Sequence, residues 1–326
     1  MKFEHSSPLS TLSLIGVLAI LLIFPLFLPE YYIAIGIEIF VMALFALSFN
    51  LLFGYTGLLS FGHAAFFGTG AYACALTLKH VSSSVFLGLL GGIILSAIFA
   101  LIIGFFCVRF TRMYFVMLTV AFGELVYNIG HKWVSLTGGD DGLVGIPISP
   151  LRILFLPPLN LVKISNYYYF TFVCVGISIF IIWRIVNSHF GYVLRAIHEN
   201  SERVKFVGLE VRRHQLLSFT ISGLFAGLAG ALLTIFEGMV SPASLYFNTS
   251  AEPILMSILG GTRFFFGPIV GAALFIIIKD VIQTLTEFWM VWMGSILVMI
   301  VIFLPGGVVG FLYSKFPISF SKNRIR

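Results

Sequence analysis

The hydrophobic and polar positions of this chain lie in long blocks rather than in the short alternating periods of a soluble fold. Runs of about 20 apolar residues predict membrane-spanning helices. We expect about ten of these helices, at 12–28, 31–53, 57–78, 85–108, 113–131, 166–187, 214–238, 251–263, 264–286 and 287–304. The eighth is short, which is typical of a half-helix or a re-entrant segment. The expected fold class is therefore an all-α polytopic membrane protein, with residues 1–326 in one transmembrane domain.

The composition supports this class. Of the 326 residues, 59% are hydrophobic and 10% are charged, whereas about 25% charge is usual in soluble domains. The first apolar run is followed by Leu26-Phe-Leu-Pro-Glu30, which lacks a small-residue cleavage site, so we expect an uncleaved helix rather than a signal peptide. Cys74, Cys107 and Cys174 are widely spaced in or beside apolar runs, which predicts small core residues and neither a disulfide framework nor a metal site.

The basic residues predict the orientation of the chain in the membrane. They collect in a short turn with Arg109 and Arg112, in the loop 188–213, and in a tail that begins at Lys315. The positive-inside rule places all of these on the cytoplasmic side of the membrane, with both termini cytoplasmic and the loop 132–165 outside. A nucleic-acid role for the net charge of +6 is the poorer interpretation, because no basic patch is interleaved with exposed aromatic residues.

The glycine-rich segment 50–72 is apolar enough for a bilayer, yet a plain membrane anchor does not need its glycines. Glycine destabilises a helix, and it is tolerated where backbones approach closely or where a helix breaks beside a cavity. The segment 265–272 repeats part of its pattern, and internal repeats are common in transporters. We therefore expect the segments 54–72 and 260–272 to form walls of a translocation path.

Ionisable residues within apolar runs are a second signal, because a buried charge in a bilayer is costly and faces the protein interior or water. Glu38 and Glu124 are the better functional candidates, with a hydrogen bond between helices as the alternative role. Lys279 and Asp280 are adjacent inside a predicted span, so we expect them to pair with each other. The acids expected near the outer interface, where charge costs little, are Glu237, Glu252 and Glu287.

These two signals define the candidate residues of the translocation path. For His63 a packing role remains the alternative to ligand contact, since it lies among Gly and Ala. The full set of path candidates is Gly57, Ser60, Gly62, His63, Phe66, Gly70, Tyr72, Glu124, Gly260, Gly261, Gly267, Pro268 and Gly271.

The two longest hydrophilic loops differ in character. The loop 132–165 is rich in Gly and Pro, which favours turns, and it can cover the mouth of a path or serve as a connector. In the loop 188–213, Asn200 or Ser201 can cap a helix and Gly208 can end it, so we predict two short amphipathic helices. These would be a membrane-surface element or a docking element for a cytoplasmic partner. The apolar residues with helical spacing in this loop are Val193, Ile197, Val204, Val207 and Val211.

Motifs of covalent chemistry are absent from the sequence. It contains no Gly-x-x-x-x-Gly-Lys-Ser/Thr phosphate loop, no His-Glu-x-x-His and no Gly-x-Ser-x-Gly. We therefore expect a transporter and not an enzyme. A stand-alone secondary carrier driven by protons or sodium is the main rival, and it would depend on Glu38, Glu124 or Asp280.

The segment Gly54–Tyr72 closely resembles the signature of branched-chain amino acid ABC importer permeases. The resemblance continues over residues 40–310, and the loop Thr137-Gly-Gly-Asp-Asp-Gly142 is similar to that of the LivM-type subunit. The further stretches that match in the same order are Thr137–Pro147, Gly191–Asn200, Gly223–Ala231, Gly260–Ala272 and Phe303–Gly307.

The resemblance implies an importer with two permease subunits, this type paired with a LivH-like relative. Two cytoplasmic ABC ATPases would bind beneath them and use the ATP, so this chain itself would need no cofactor. An extracytoplasmic substrate-binding protein would deliver leucine, isoleucine or valine to the pair in the lipid membrane. A urea or amide importer is the alternative, because related permeases carry those solutes.

The resemblance also implies that the loop 188–213 docks the ATPase. The docking candidates are Arg195, Ala196, Glu199, Asn200 and Gly208. The family often has Gly-Arg-Ala-Leu-Arg-Ala-Ile-Arg-Glu-Asn at this place, and here Tyr192 and His198 replace two of those arginines. Docking is expected to survive this change with a different charge complementarity.

Overall fold

The computed structural model describes residues 16, 21–110, 113–150, 160–304 and 306–315, and these residues are almost entirely helical. Part of the predicted span 12–28, Arg112 and the basic tail beyond residue 315 lie outside the described residues. The helices are α1 (Glu30–Asn50), α2 (His63–Leu76), α3 (Val85–Cys107), α4 (Met113–Lys132), α5 (Val134–Thr137), α6 (Ile164–Val186), α7 (His189–Phe206), α8 (Val211–Glu237), α9 (Phe247–Gly260), α10 (Gly267–Leu285), α11 (Trp289–Phe303) and α12 (Gly307–Lys315).

Several shorter elements join these helices. A π-helical segment, Leu51–Thr56, continues α1, and a second one, Thr77–Val81, continues α2. Short 3-10 helices occur at Gly139–Asp141 and Pro242–Leu245. The strands β1 (Leu143–Val144) and β2 (Met239–Val240) pair antiparallel.

The helix lengths only partly support the predicted number of crossings. In the described part of the chain, six helices are long and apolar enough to cross a membrane. The prediction of about ten crossings is not confirmed, because several of the predicted spans contain shorter helices. α2 and α9 have 14 residues each, or about 21 Å of helix, against about 30 Å of hydrocarbon. The six long spans are Glu30–Thr56, Val85–Cys107, Met113–Lys132, Ile164–Val186, Val211–Glu237 and Gly267–Leu285.

The outer helices carry large apolar side chains on their surface. Phe86 and Ile94 on α3, Met117 on α4 and Phe180 on α6 are all exposed. Extended apolar surface of this kind marks contact with a membrane or a partner. The all-α polytopic membrane class predicted from the sequence agrees with this surface and with the six long apolar helices.

The centre of the bundle contains α2, which packs against both α3 and α8, and these two helices also pack against each other. A Cβ atom added to Gly70 on α2 would overlap the backbone of Gly227 on α8, and one added to Gly92 on α3 would lie 2.8 Å from the carbonyl oxygen of Gly70. Small residues at crossings let helix backbones approach closely in a membrane. We call this contact of α2, α3 and α8 the glycine-rich centre.

A buried hydroxyl group ties the same three helices together. Ser96 Oγ on α3 donates towards the carbonyl oxygens of Phe66 on α2, at 3.0 Å, and Gly223 on α8, at 2.6 Å. A carbonyl oxygen has two lone pairs, so it can accept this bond and still serve its own helix. The glycine-rich centre is therefore hydrogen-bonded as well as closely packed.

α8 connects two different ends of the bundle. Its 27 residues span about 40 Å at 1.5 Å per residue. α7 precedes its first residue, and β2 follows its last. β2 pairs with β1, with Leu143 opposite Val240 and Val144 opposite Met239. The predicted external loop 132–165 therefore folds back over one end of α8, which we call the strand end.

Candidate translocation site

A cavity of about 330 Å³ lies at the strand end. Residues of α1, α2, α8, α9 and α10 line its sides, and β2 and the 3-10 helix Pro242–Leu245 cover it. Because β1 pairs with β2, the loop between α4 and α6 also supports this cover. Of the two roles that the sequence allows for the loop 132–165, covering the mouth of a cavity fits this geometry better than a plain connector.

Charged side chains from four helices meet in this cavity. They are Glu38 on α1, Glu237 on α8, Glu252 on α9 and Lys279 on α10, and we call them the charged cluster. Lys279 Nζ lies 3.7 Å from Glu38 Oε1 and 3.9 Å from Glu252 Oε1. Hydrogen-bonded N–H···O pairs are usually no longer than about 3.2 Å. Both ion pairs are thus looser than hydrogen-bonded pairs, although their side chains are largely buried.

The predicted pairing of Lys279 with Asp280 is wrong. Successive residues of an α-helix point about 100° apart, since a turn has about 3.6 residues. Lys279 therefore faces the cavity, while Asp280 Oδ1 accepts a hydrogen bond from the hydroxyl of Tyr31 at 2.6 Å. The sequence shows both charged residues, but it does not show which neighbouring helix each of them faces.

The acids predicted near the outer interface lie in two different settings. Glu237 and Glu252 both lie at the strand end and line the cavity, where Glu252 pairs with Lys279 and Glu237 stays exposed. Glu287, which precedes α11, is exposed and does not line the cavity. The charged cluster therefore contains two residues that the sequence alone gives no functional weight.

The path candidates of segment 54–72 lie at helix contacts and not along the cavity. A Cβ atom on Gly62 would overlap the carbonyl group of Thr119 on α4. Phe66 is buried against Phe219 on α8, with ring centroids 5.2 Å apart. The remaining candidates of this region are Ser60 and Tyr72, which are buried, Gly70 in the glycine-rich centre, and Glu124, which is half-buried on α4.

His63 is fully buried at the start of α2 in an aromatic cage. Its ring lies 5.4 Å from that of Phe45, 5.5 Å from that of Phe49 and 5.7 Å from that of Phe66. Ser48 Oγ donates its one proton to the carbonyl oxygen of Phe45 at 2.7 Å, so it must accept from His63 Nε2 at 3.1 Å. The neutral tautomer with a proton on Nε2 fits this geometry, and packing describes the surroundings of His63 better than ligand contact.

The second glycine-rich segment forms a close turn between α9 and α10. A Cβ atom on Gly260 would overlap the carbonyl of Gly267, and one on Gly271 would overlap the carbonyl of Met256. Gly261 has φ +106°, a conformation that side chains disfavour. Pro268 lies in the first turn of α10, where its missing N–H costs nothing. The role of both glycine-rich segments in a translocation path stays a prediction.

α7 has the two-part form that the sequence predicts. The backbone of Asn200 is non-helical, with φ −161° and ψ 98°, and its Oδ1 accepts from the N–H of Arg203 at 3.0 Å. Gly208 follows with φ +88°. Asn200 therefore caps the second helical piece and Gly208 terminates it, as the cap residues predict.

The apolar face of α7 is shorter than predicted. Val193, Ile197, Val204 and Val211 pack together in a small cluster. Val207 is 79% exposed, because the helix ends at Phe206 and the helical spacing no longer applies beyond it. Phe206 is itself 88% exposed, so Phe206 and Val207 form an apolar tip beside the exposed charges of Glu202, Arg203 and Lys205.

The docking candidates separate into two groups by exposure. Ala196, Glu199, Asn200 and Gly208 are exposed. Arg195 is half-buried, and its guanidinium lies 5.3 Å from the ring centroid of Tyr55 in the π-helical segment Leu51–Thr56. Arg195 therefore anchors α7 to the bundle, and the other candidates face outward.

His198 makes the second contact between α7 and the π-helical segment. Its Nδ1 lies 2.9 Å from the carbonyl oxygen of Gly54, and since a carbonyl only accepts, His198 is the donor. Gly57, at the end of this segment, has φ +76°, and a Cβ atom there would lie 3.0 Å from the His198 ring. The path candidate Gly57 thus borders α7 directly.

Comparison with known proteins identifies the family. A family model described as the permease component of branched-chain amino acid transport systems matches residues 31–306. The chain belongs to this family. The high-affinity branched-chain amino acid permease protein LivM of Escherichia coli (strain K12) is 26% identical over 94% of this chain and 76% of the relative.

Further relatives include both permease types. A probable LivM protein of Methanocaldococcus jannaschii is 23% identical over 81% of this chain and 89% of its own. The LivH protein of Salmonella typhimurium is 24% identical over 82% of this chain and 91% of its own. No solved structure matches the permease. The resemblance noted in the sequence is thereby confirmed, and these relatives are transport permeases rather than enzymes.

Several features of the permease have no clear local signal in the sequence. Lys279 and Glu252 gain their importance from helices that are distant in the chain, and His198 from a carbonyl in another segment. The sequence does contain one signal for His198, which replaces an arginine that is usual in the family. The exposed Phe206 could have been found as an apolar residue flanked by charges at a predicted helix end.

Proposed function

We propose that this permease is the membrane-spanning subunit of an ATP-driven importer for branched-chain or related amino acids in the bacterial inner membrane. The observation that carries this is the family match over residues 31–306. A cavity with charges of both signs at one end of α8 and an exposed docking helix at the other support it. The chain performs no covalent chemistry and moves solute by alternating access.

The partners follow from the architecture of such importers. This LivM-like chain pairs with a LivH-like permease, and relatives of both names support that pairing. Two ABC ATPases bind on the cytoplasmic side and an extracytoplasmic binding protein delivers the solute. The charge pattern supports an orientation with α7 in the cytoplasm, the strand end outside and both termini inside.

The path must shield a zwitterion from hydrocarbon, because burying its charges without partners is costly. The charged cluster supports such a path at the strand end. The path then continues towards the glycine-rich segments, where Gly62, Gly70 and Gly260 lie at backbone contacts. Contacts without large side chains let helices slide past one another, which suits walls that open and close.

Coupling to the ATPase starts at α7. Ala196, Glu199, Asn200 and the apolar tip at Phe206 form its outward surface. Movement of α7 transfers to the π-helical segment through His198 and Arg195, which contact Gly54 and Tyr55. That segment directly continues α1, which carries Glu38, so α7 and the cavity are joined through α1.

Purification of the tagged chain from membranes in mild detergent tests the assembly. A second permease and ATPase subunits should co-purify, and the substitutions Glu199→Lys and Phe206→Asp should remove the ATPases. Lys132→Glu, a charge reversal at the strand end of α4, is the matched control and should retain them. Recovery of the chain alone, active without ATP, would refute the importer.

Uptake into vesicles separates the alternatives. With ATP available to the ATPases, an amino-acid importer takes up labelled leucine even when an uncoupler dissipates the proton gradient. Uptake that collapses with the uncoupler identifies a secondary carrier instead. Uptake of urea or acetamide but not leucine identifies a urea or amide importer.

A further inference from the structure

We propose that the charged cluster is a substrate site that binds both charged groups of a free amino acid. Lys279 takes the α-carboxylate, while Glu237 and Glu252 take the α-ammonium. This inference rests on the proposed import of amino acids. It goes further by assigning the site to the strand-end cavity and away from the glycine-rich segments.

The size of the cavity limits its occupant. At about 330 Å³, it is near the lower end of the roughly 300–1,000 Å³ found for small-molecule sites. It therefore suits a small solute such as a single amino acid. Apolar side chains also line it, among them Met42, Phe67 and Leu233, and these suit an aliphatic side chain.

The cavity lining carries more negative than positive charge, and a bound ammonium group would reduce this imbalance. The lining contains the carboxylates of Glu38, Glu237 and Glu252, and Lys279 is the one basic residue that lines the cavity in the described part of the chain. Glu237 is close enough to Glu38 and Lys279 to interact electrostatically with both. Carboxylates near one another repel, so an added cation is stabilised there.

Three of the four hydroxyl groups that line the cavity, all except that of Ser241, add acceptors and not donors. Ser244 Oγ donates to the carbonyl of Ser241 at 2.8 Å, Thr249 Oγ1 to that of Ala243 at 2.9 Å, and Thr234 Oγ1 to that of Gly230 at 3.0 Å. Each hydroxyl has a single proton, so only lone pairs remain for a ligand. Lone pairs suit an ammonium group. Among the side chains lining the cavity, this leaves Lys279 as the cationic partner for a carboxylate.

The loose ion pairs allow Lys279 to exchange partners. Its Nζ lies 3.7 Å from one carboxylate and 3.9 Å from another, both beyond close hydrogen-bonding distance. A substrate carboxylate can replace one of these contacts, and the released glutamate then faces the substrate ammonium. Binding therefore rearranges charge pairs that already exist and leaves no charge alone.

Saturation-transfer NMR on the purified importer complex tests the site, because it detects weak ligands without transport. The probes are leucine, leucinamide, which lacks the carboxylate, and N-acetylleucine, which lacks the ammonium. The wild type should prefer leucine at least tenfold over both. Lys279→Gln should abolish the preference over leucinamide only, and Glu252→Gln the preference over N-acetylleucine only.

Asp280→Asn is the matched control, because Asp280 neighbours Lys279 but bonds to Tyr31 outside the cavity, and it should keep both preferences. If the Lys279→Gln variant does not assemble into a complex, the Glu252→Gln variant alone tests the substrate site. If the cavity variants keep both preferences, the charged cluster is not the substrate site. Leucine uptake by the wild type would still support the importer in that case. A wild type that imports urea or amides but no amino acid would overturn the proposed substrate, and the zwitterion site with it.

Discussion

The glycine-rich centre and the charged cavity lie next to each other on the same two helices, yet one is closed and the other is open. Gly70 and Gly227 meet backbone to backbone, whereas Ala71 and Gly230, one and three residues further along α2 and α8, line the cavity. Small residues close a gap between helices when two of them face each other. Charged side chains inside a membrane protein, in contrast, are tolerated where they face a cavity and polar partners. In this permease, charge is therefore the better guide to the cavity.

The largest expected effect comes from placing a large side chain in the glycine-rich centre. Gly70→Leu should cost more than about 4 kcal/mol of stability, because its side chain meets backbone that cannot move aside. Thermal unfolding in detergent and the yield of monodisperse protein measure the effect. Gly176→Leu on α6 is the control, since a Cβ atom there meets nothing within 4 Å. Equal melting temperatures for the two variants would contradict the close crossing.

Removing the positive charge of Lys279 from the cavity should have the next largest effect. Lys279→Met leaves Glu38 and Glu252 without their shared partner, at a cost of about 2–4 kcal/mol. Adding Glu252→Gln to Lys279→Met should recover part of this loss, because it removes one of the repelling carboxylates. A double-mutant cycle of melting temperatures measures the coupling. Strict additivity would mean that the two side chains do not interact.

The bridging hydroxyl of the glycine-rich centre should contribute less. Ser96→Ala removes the bond from α3 to α2 and α8, and such bonds in membranes are worth about 0.6 kcal/mol, up to about 1.7. Ser295→Ala removes a bond within exposed α11 and should change the melting temperature less. A larger effect at Ser295 would argue against a special role for Ser96.

The smallest expected effect comes from a charge outside the cavity. Asp280→Asn keeps an acceptor for the Tyr31 hydroxyl, so stability should change by less than about 0.5 kcal/mol. Chemical denaturation or a melting curve, run beside Lys279→Met, measures this difference. If the two neighbours had equal effects, the distinction between cavity and non-cavity charges would fail.

Local sequence patterns predict the parts of the fold that depend on local interactions. The expected span 85–108 corresponds to Val85–Cys107, and 113–131 to Met113–Lys132, because long apolar runs are sufficient to define them. Asn200 and Gly208 act as the caps that their residue types predict. Helix caps and apolar length depend on neighbours in sequence, so one chain is enough to recognise them.

The site depends on contacts that local patterns do not contain. Glu38 and Lys279 are far apart in the chain, and only the packing of α1 against α10 brings them together. The predicted span 57–78 is longer than α2 for a related reason, since the mostly apolar residues 57–62 before the helix extend the hydrophobic run. The glycine-rich segments predict a path wall, but a glycine alone does not show whether its neighbour is another backbone or empty space.

The short pairing of β1 with β2 has a consequence for local stability. The strands contribute two residues each to the contact between the loop and the cover of the cavity, and in the described part of the loop the backbone N–H groups of Ile146 and Ser149 add bonds to Gly238 and Ser83. Opening that loop breaks a small part of the fold and leaves the helices intact, so its free energy is far below that of global unfolding. The backbone amides near Leu143 and Val240 should then exchange with deuterium long before those of α8. Under the proposed function, such a local fluctuation would admit solute at the strand end, while the rest of the protein keeps its full protection.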